Sequence, residues 1–265
     1  MTRKIALRNA NRSVVRALDI LLSFVSYDEV GITELSQSLN LAKSTVHSLL
    51  QTLKDKGLIE QNPENSKYRL GLKAYQLGMR WVKGRDLRIV ARRYIQQLSE
   101  ELGEIVHLSI FAGDQALIID RIEPSAPFLV VPRIGWALPL HSTAAGKVLL
   151  AYSPKEVVNR IVRETKLAKY TASTITDPTE LENVLNKVYH QGYALDEEET
   201  LSGIVCIAAP IRDYNSVVVA SLSITSSVDR CPPERYLELI ERVWRGADII
   251  SVNLGYQDVL AKAVR

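Results

Sequence analysis

At 265 residues, with 46% hydrophobic and 24% charged side chains, the chain can build packed cores for two domains, which excludes a disordered or fibrous polypeptide. The net charge of +3 is unevenly spread: residues 1–85 carry 14 Lys/Arg against 7 Asp/Glu, and residues 86–265 carry 19 against 23, so a basic first third is joined to a mildly acidic remainder. Two cysteines with no CxxC pair, and no run approaching ~18 uninterrupted apolar residues, exclude a disulfide framework and a membrane span and predict a soluble, cytoplasmic protein.

Residues 1–12 read as a basic arm carrying Arg3, Lys4, Arg8 and Arg12. It is either a plain unstructured terminus or an arm adding phosphate or minor-groove contacts. A helix follows, with Ser13 as its expected cap and Val14, Leu18, Leu21, Leu22 and Val25 as its expected inner face. Next, Ile32–Leu53 has apolar residues at Ile32, Leu35 and Leu39, then at Val46, Leu49, Leu50 and Leu53. Those spacings make two short helices around a corner at Asn40-Leu41-Ala42. The outer face of the second helix holds Lys43, Ser44, Thr45, His47, Ser48, Gln51 and Thr52. Short polar and basic groups without an acid are what a helix in a DNA major groove requires. LIEQNPENSKYRLGL then reads as a hairpin that turns over Asn62 to Ser66, and Lys67 and Arg69 share a face from which both could reach phosphates. Three helices and a hairpin make a winged helix-turn-helix over 13–70.

Residues 71–84 form a linker or dimerisation helix with Leu72, Tyr75, Leu77, Met79 and Trp81. A second helix should run over 86–102. Strands are expected at 105–112 and 115–123 around Gly113-Asp114, at 128–135, at 203–211 and at 217–225. Helices should start at Ser153-Pro154, at Asp177-Pro178-Thr179-Glu180, and after Cys231-Pro232-Pro233, the last burying Leu237, Ile240, Val243, Trp244, Ala247 and Ile250. Hairpins interleaved with helices give an antiparallel α+β domain over 85–257, followed by a tail at 258–265.

His141-Ser142-Thr143-Ala144-Ala145-Gly146-Lys147 fails the phosphate-loop pattern: the first glycine is missing and Val148 follows the lysine. It is read as a loop entering a helix, either an ordinary helix start or one whose first amides suit a carboxylate ligand. Asp196, Cys206, Ser223 and Thr225 come from three strand segments, and their short polar groups suit a pocket among apolar Ile204, Ile207, Val219 and Leu222. A His141, Asp196, Cys206 triad lacks any nucleophile motif, so no catalytic residue is expected. The four histidines His47, His107, His141 and His190 lack ligand spacing, so no metal and no cofactor is expected. Glu197-Glu198-Glu199 reads as a solvated acidic turn.

Four blocks then stand in one order: LAKSTVH with LLQTLKDKGLIE, PLHSTAAGKVLLA (139–151), GYALDEEETLSGIVCIAAPI (192–211) and VVVASLSIT (217–225). In this the chain resembles the IclR family of bacterial transcriptional regulators over nearly its whole length. The resemblance implies a winged-helix domain dimerising on operator DNA and a GAF-like domain that binds a small organic effector. It implies effector contacts at Leu138, Ala144, Ala145, Asp196, Ile204, Cys206, Ser223 and Thr225. The expectation is therefore a DNA-binding regulator of a catabolic operon, working as a homodimer or tetramer on double-stranded DNA, controlled by a carboxylate-bearing effector and without a membrane role. The alternatives are an architectural DNA-binding dimer without ligand control and, less favoured, an enzyme fused to a DNA-binding domain.

Overall fold

The computed structural model describes residues 11–83, 87–124 and 132–257, with side chains omitted over 79–83. The arm apart from residues 11 and 12, the tail at 258–265, the side chains of Met79 and Trp81, and the first half of the strand expected at 128–135 lie outside the described residues. The chain divides into two units, Met1–Arg85 and Asp86–Arg265.

The first unit comprises α1 (Arg12–Ser23), α2 (Ile32–Ser38), α3 (Lys43–Asp55), the hairpin β1 (Ile59–Gln61) and β2 (Tyr68–Leu70), and α4 (Leu72–Lys83). Asn11, not Ser13, caps α1: its carboxamide oxygen accepts from the Ser13 amide at 3.1 Å. The α2–α3 corner turns on Asn40 at φ 52°, while the Ser36 hydroxyl donates to the Leu41 carbonyl at 2.7 Å. The core joins Ile20 of α1 and Phe24, the residue that caps it, to Leu35, Val46, Leu50, Leu53, Ile59 and Tyr68.

The expected inner face of α1 is corrected. Val14, Leu18, Leu22 and Val25 are each more than half exposed, and the helix packs through Ala17, Ile20, Leu21 and Phe24 instead. Apolar residues occupy two stripes of this helix, so periodicity alone could not say which one the domain buries. Leu72, Tyr75 and Leu77 of α4 are also exposed.

The second unit is built on one six-stranded antiparallel sheet, in the order β5-β4-β3-β8-β7-β6. The strands are β3 (Ile105–Ala112), β4 (Gln115–Ile122), β5 (Ala137–Pro139), β6 (Ala194–Glu197), β7 (Ile204–Arg212) and β8 (Val218–Ser227). No strand occupies 132–135, and the edge strand forms two residues later, at Ala137, paired with β4. Helices α5 (Leu87–Leu102) and α9 (Tyr236–Asn253) cover one face. Helices α6 (Ala144–Ala151) and α8 (Pro178–Gln191) serve the other, with the short α7 (Lys155–Asn159) between them in sequence.

Strand alternation sorts the residues between the two faces. Val205, Ile207, Ala209 and Ile211 of β7, Leu222 and Ile224 of β8, and Val106, Leu108 and Ile110 of β3 form the core with α5 and α9. Ile207 and Leu222 therefore do not belong with Ile204 around a pocket. Leu237 and Trp244, expected inside, are exposed; α9 buries Leu239, Val243, Ala247 and Ile250. Asp177 caps α8 by accepting from the Glu180 amide at 2.8 Å, and Gly192 ends that helix at φ 80°.

Candidate functional site

Between the sheet and the start of α6 lies a cavity of about 310 Å³. Leu138, Ala144, Ala145, Asp196, Ile204, Cys206, Ser223 and Thr225 all line it, and they come from β5, α6, β6, β7 and β8. Sequence reasoning missed His107, Pro132, Trp136, Thr143, Thr200 and Leu201, which complete the wall.

Helix α6 is set in place by two small residues. Thr143 is its N-cap: the hydroxyl donates to the Pro139 carbonyl at 2.6 Å and accepts from the Gly146 amide at 3.1 Å. Thr143 could have been found from its position, since a Ser or Thr ahead of an apolar run is the usual start signal. Gly146 has no room for a side chain, because a Cβ there would sit 2.5 Å from the Pro139 carbonyl oxygen and 2.6 Å from Leu140 Cα. The Lys147 amide bonds the Thr143 carbonyl. Among the described residues, no hydrogen bond takes the amides of Ala144 and Ala145, which open the helix against the cavity. The Ser223 hydroxyl, 4% exposed, has no partner among the described residues either.

Under the cavity, Lys147 of α6 forms an ion pair with Glu199, and both are buried. The acidic turn is corrected here: Glu199 is no solvated residue, and its backbone carbonyl accepts from Thr174 at 2.6 Å. Asp196 accepts the amides of Glu199 at 2.8 Å and Thr200 at 3.4 Å, while the Thr200 hydroxyl donates to the Ser142 carbonyl at 3.0 Å. The segment between β6 and β7 is thereby tied to the start of α6. Burial raises the carboxyl pKa of Asp196 and of Glu199, outweighing the attraction of Lys147.

The wall facing α6 carries a short polar chain. Cys206 Sγ lies 3.3 Å from Thr225 Oγ1, Thr225 Oγ1 lies 3.4 Å from His107 Nδ1, and His107 Nε2 lies 3.3 Å from the Pro132 carbonyl oxygen. Burial pushes the Cys206 thiol well above its ordinary value. His141 is engaged elsewhere, bonding the Ala168 carbonyl at 2.9 Å and stacking on Tyr170. Cys206 bonds Thr225, so no hydrogen bond among the described residues assembles a triad.

His107 is pulled down to about 4, first by burial and then by the nearby Arg121 charge, against the Pro132 hydrogen bond. The folded chain thus binds fewer protons than the unfolded one between about pH 6.5 and about pH 4. The stabilisation is complete above the unfolded value and is lost as pH falls through that window, with a span on the order of 2–4 kcal/mol. Asp196 and Glu199, shifted upwards, contribute with the opposite sign. Unfolding free energies in urea should therefore show the wild type losing more stability on acidification than His107→Gln. Parallel pH curves for the two would contradict this role of His107.

In the first unit, α3 presents Lys43, Ser44, His47, Ser48, Gln51 and Thr52 to solvent, with Thr45 half-buried, while Val46, Leu50 and Leu53 anchor it. Two of these groups are partly committed: Gln51 donates to Asp55 at 2.9 Å and the Thr52 hydroxyl donates back to the Ser48 carbonyl at 3.0 Å. Arg12 is exposed at the start of α1. Lys67 and Arg69 are not free cations. Lys67 pairs with Glu34 at 3.2 Å, and Arg69 pairs with Glu60 at 2.6 Å and Glu29 at 3.6 Å. The fold brings Glu34 of α2 beside Lys67, and Glu60 of β1 and Glu29 of the turn before α2 beside Arg69, which sequence spacing could not reveal.

The model of the IclR helix-turn-helix domain matches residues 13–63, and that of the bacterial transcriptional regulator IclR C-terminal domain matches residues 79–252. The chain belongs to the IclR family. This IclR-family member is 37% identical over 246 residues to the HTH-type transcriptional regulator XynR of Escherichia coli (strain K12), spanning 92% of this chain and 98% of that protein. It is 38% identical to KdgR of the same organism, spanning 93% and 94%. The Thermotoga maritima IclR structure superposes with a TM-score of 0.75 at 29% identity, over 92% of this chain and 99% of that one. An IclR homolog from Microbacterium hydrocarbonoxydans, solved with 4-hydroxybenzoate, shares the fold with a TM-score of 0.81 at 23% identity, over 91% and 98%. The IclR-family chain is thus a transcriptional regulator with an N-terminal DNA-binding helix-turn-helix and a C-terminal effector-binding domain. Among its described residues, no helix is long and apolar enough to cross a membrane.

Proposed function

We propose that this regulator works in the cytoplasm as a homodimer on a two-fold operator of a catabolic operon, and that a small carboxylate held in the α6 cavity controls it. The observation that carries the ligand reading is a mostly apolar cavity in which, among the described residues, two helix-start amides and the unpartnered Ser223 hydroxyl are open hydrogen-bonding groups, beside the second carboxyl oxygen of Asp196. Leu138, Ala144, Ala145, Asp196, Ile204, Cys206, Ser223 and Thr225 are its contacts, with the amides of Ala144 and Ala145 taking the carboxylate. The two exposed apolar surfaces of the first unit, on α1 and α4, supply the dimer contact. An effector that favours one arrangement of α4 over another shifts the spacing of the two recognition helices, and its effect on operator affinity cannot exceed its differential affinity, typically ~1–3 kcal/mol.

The test is a thermal-shift screen of small carboxylic acids followed by operator footprinting with and without a hit. A hit that leaves operator affinity unchanged would sink ligand control and favour the architectural dimer.

On DNA, Ser48 and His47 sit on the exposed face of α3 as base readers, with Ser44, Thr45, Gln51 and Thr52 around them, and Lys43 at the helix start meets phosphate. Arg12 adds a phosphate contact. Lys67 and Arg69 reach phosphate only by giving up their present carboxylate partners. Ser48→Ala should therefore relax base preference, at a cost of about 1–3 kcal/mol on the operator alone. Lys43→Ala should weaken operator and random DNA equally and lower the salt slope by about 1. The same loss on both DNAs for both variants would contradict this division.

A further inference from the structure

The polar chain on the sheet face has a direction, and the direction constrains the ligand. The Pro132 carbonyl can only accept, so His107 Nε2, 3.3 Å away, carries the ring hydrogen. His107 is buried and neutral near pH 7, so its other nitrogen is bare. Nδ1 is then an acceptor, and among the described residues the hydrogen it takes is that of the Thr225 hydroxyl, 3.4 Å away. Thr225 has spent its one hydrogen. Cys206, whose thiol burial keeps protonated, can only donate to the same oxygen at 3.3 Å. What Thr225 offers the cavity is a lone pair. The other charged or titratable groups around His107 do not reverse this direction. Arg121, its register partner on β4, repels a proton on the ring, and Ser223, its partner on β8, is neutral.

We propose that His107 is the positioning residue that makes Thr225 an acceptor, so that the cavity selects a carboxylate carrying a hydroxyl at the end remote from its acid group over an equally sized acid ending in a carbonyl. The donors on α6 take the carboxylate, and the acceptor on β8 takes the hydroxyl hydrogen. A carbonyl end at Thr225 would set two lone pairs against each other in an apolar cavity and would have to turn to the Ser223 hydroxyl for a hydrogen, leaving the free lone pair of Thr225 unmatched. This rests on the reading of the cavity as a carboxylate site.

Two measurements on the full chain decide it. In the first, histidine nitrogens are followed by long-range proton–nitrogen NMR, with His107→Gln assigning the signal. A hydrogen on Nε2 and a bare Nδ1 near pH 7 are expected; a hydrogen on Nδ1, or an imidazolium, overturns the proposal. In the second, calorimetric titration compares 5-hydroxypentanoate with 5-oxopentanoate, and 3-hydroxybenzoate with 3-formylbenzoate. The hydroxy member should bind roughly tenfold or more tightly. His107→Gln, whose amide can donate to Pro132 and accept from Thr225, should keep the preference. His107→Phe and Thr225→Val should bring it near unity. Acids that bind without preference for the hydroxyl end overturn this proposal alone. Failure of every acid to bind overturns the carboxylate reading and takes this proposal with it.

Discussion

Replacing Lys147 with methionine should lower the unfolding free energy of the second unit by about 3–5 kcal/mol and its melting temperature by on the order of 10 °C. The lysine is 2% exposed and its ammonium has Glu199 as its carboxylate partner. Methionine fills much the same volume but strands Glu199, which already has one buried oxygen without a partner among the described residues. An unpaired buried carboxylate is costly, whereas an apolar pair is not. The double variant Lys147→Met, Glu199→Leu should accordingly regain most of the loss. A single variant within ~1 kcal/mol of wild type in urea denaturation would mean that the pair is solvated and holds nothing. The pair also ties the β6–β7 segment to α6, so the single variant should weaken acid binding even at temperatures where it remains folded.

Leu18→Glu should weaken operator binding roughly 100-fold or more while leaving thermal stability within ~0.5 kcal/mol of wild type. Leu18 is central in the exposed stripe of Val14, Leu18, Leu22 and Val25, and it contributes nothing to the domain core. A charge there should stop two winged helices from holding one another, and each half-site would then be bound without the help of its neighbour. Sedimentation velocity and footprinting read the two effects separately. Unchanged operator affinity with unchanged stability would move the dimer contact away from α1.

Several of the expectations that failed depend on where a distant partner lies: the buried face of α1, the free cations Lys67 and Arg69, and the solvated Glu199. Most helices and strands of both units were legible because their apolar periods are strong, whereas the short edge strand β5 formed beyond the stretch expected for it; the ends of α8 were legible because Asp177 and Gly192 are unambiguous signals. The inner face of α1 was not, since both of its apolar stripes satisfy the helical period. Among the cavity residues, Cys206, Ser223 and Thr225 stood out as polar members of apolar strands. His107 did not, because its meaning lies in Thr225, 118 positions away, and in a carbonyl 25 positions away. Lys147 carried a signal that went unused: a lone charge in AAGKVLLA, an otherwise apolar helix, demands a buried partner. The partner was hidden in a run of three acids that looks solvated when taken alone.

The division of the sheet into two faces has a consequence for how this sensor can change. On β3, β7 and β8, the side chains of the larger core point to α5 and α9, and those that touch the cavity, with Ala208 packed towards α6, alternate with them. Positions 107, 206, 223 and 225 can therefore be randomised together while the load-carrying face keeps its sequence. Ligand preference and foldability are written on different letters of the same strands, so the domain is suited to retargeting by laboratory evolution. Most variants in such a library should survive to be screened for a new inducer.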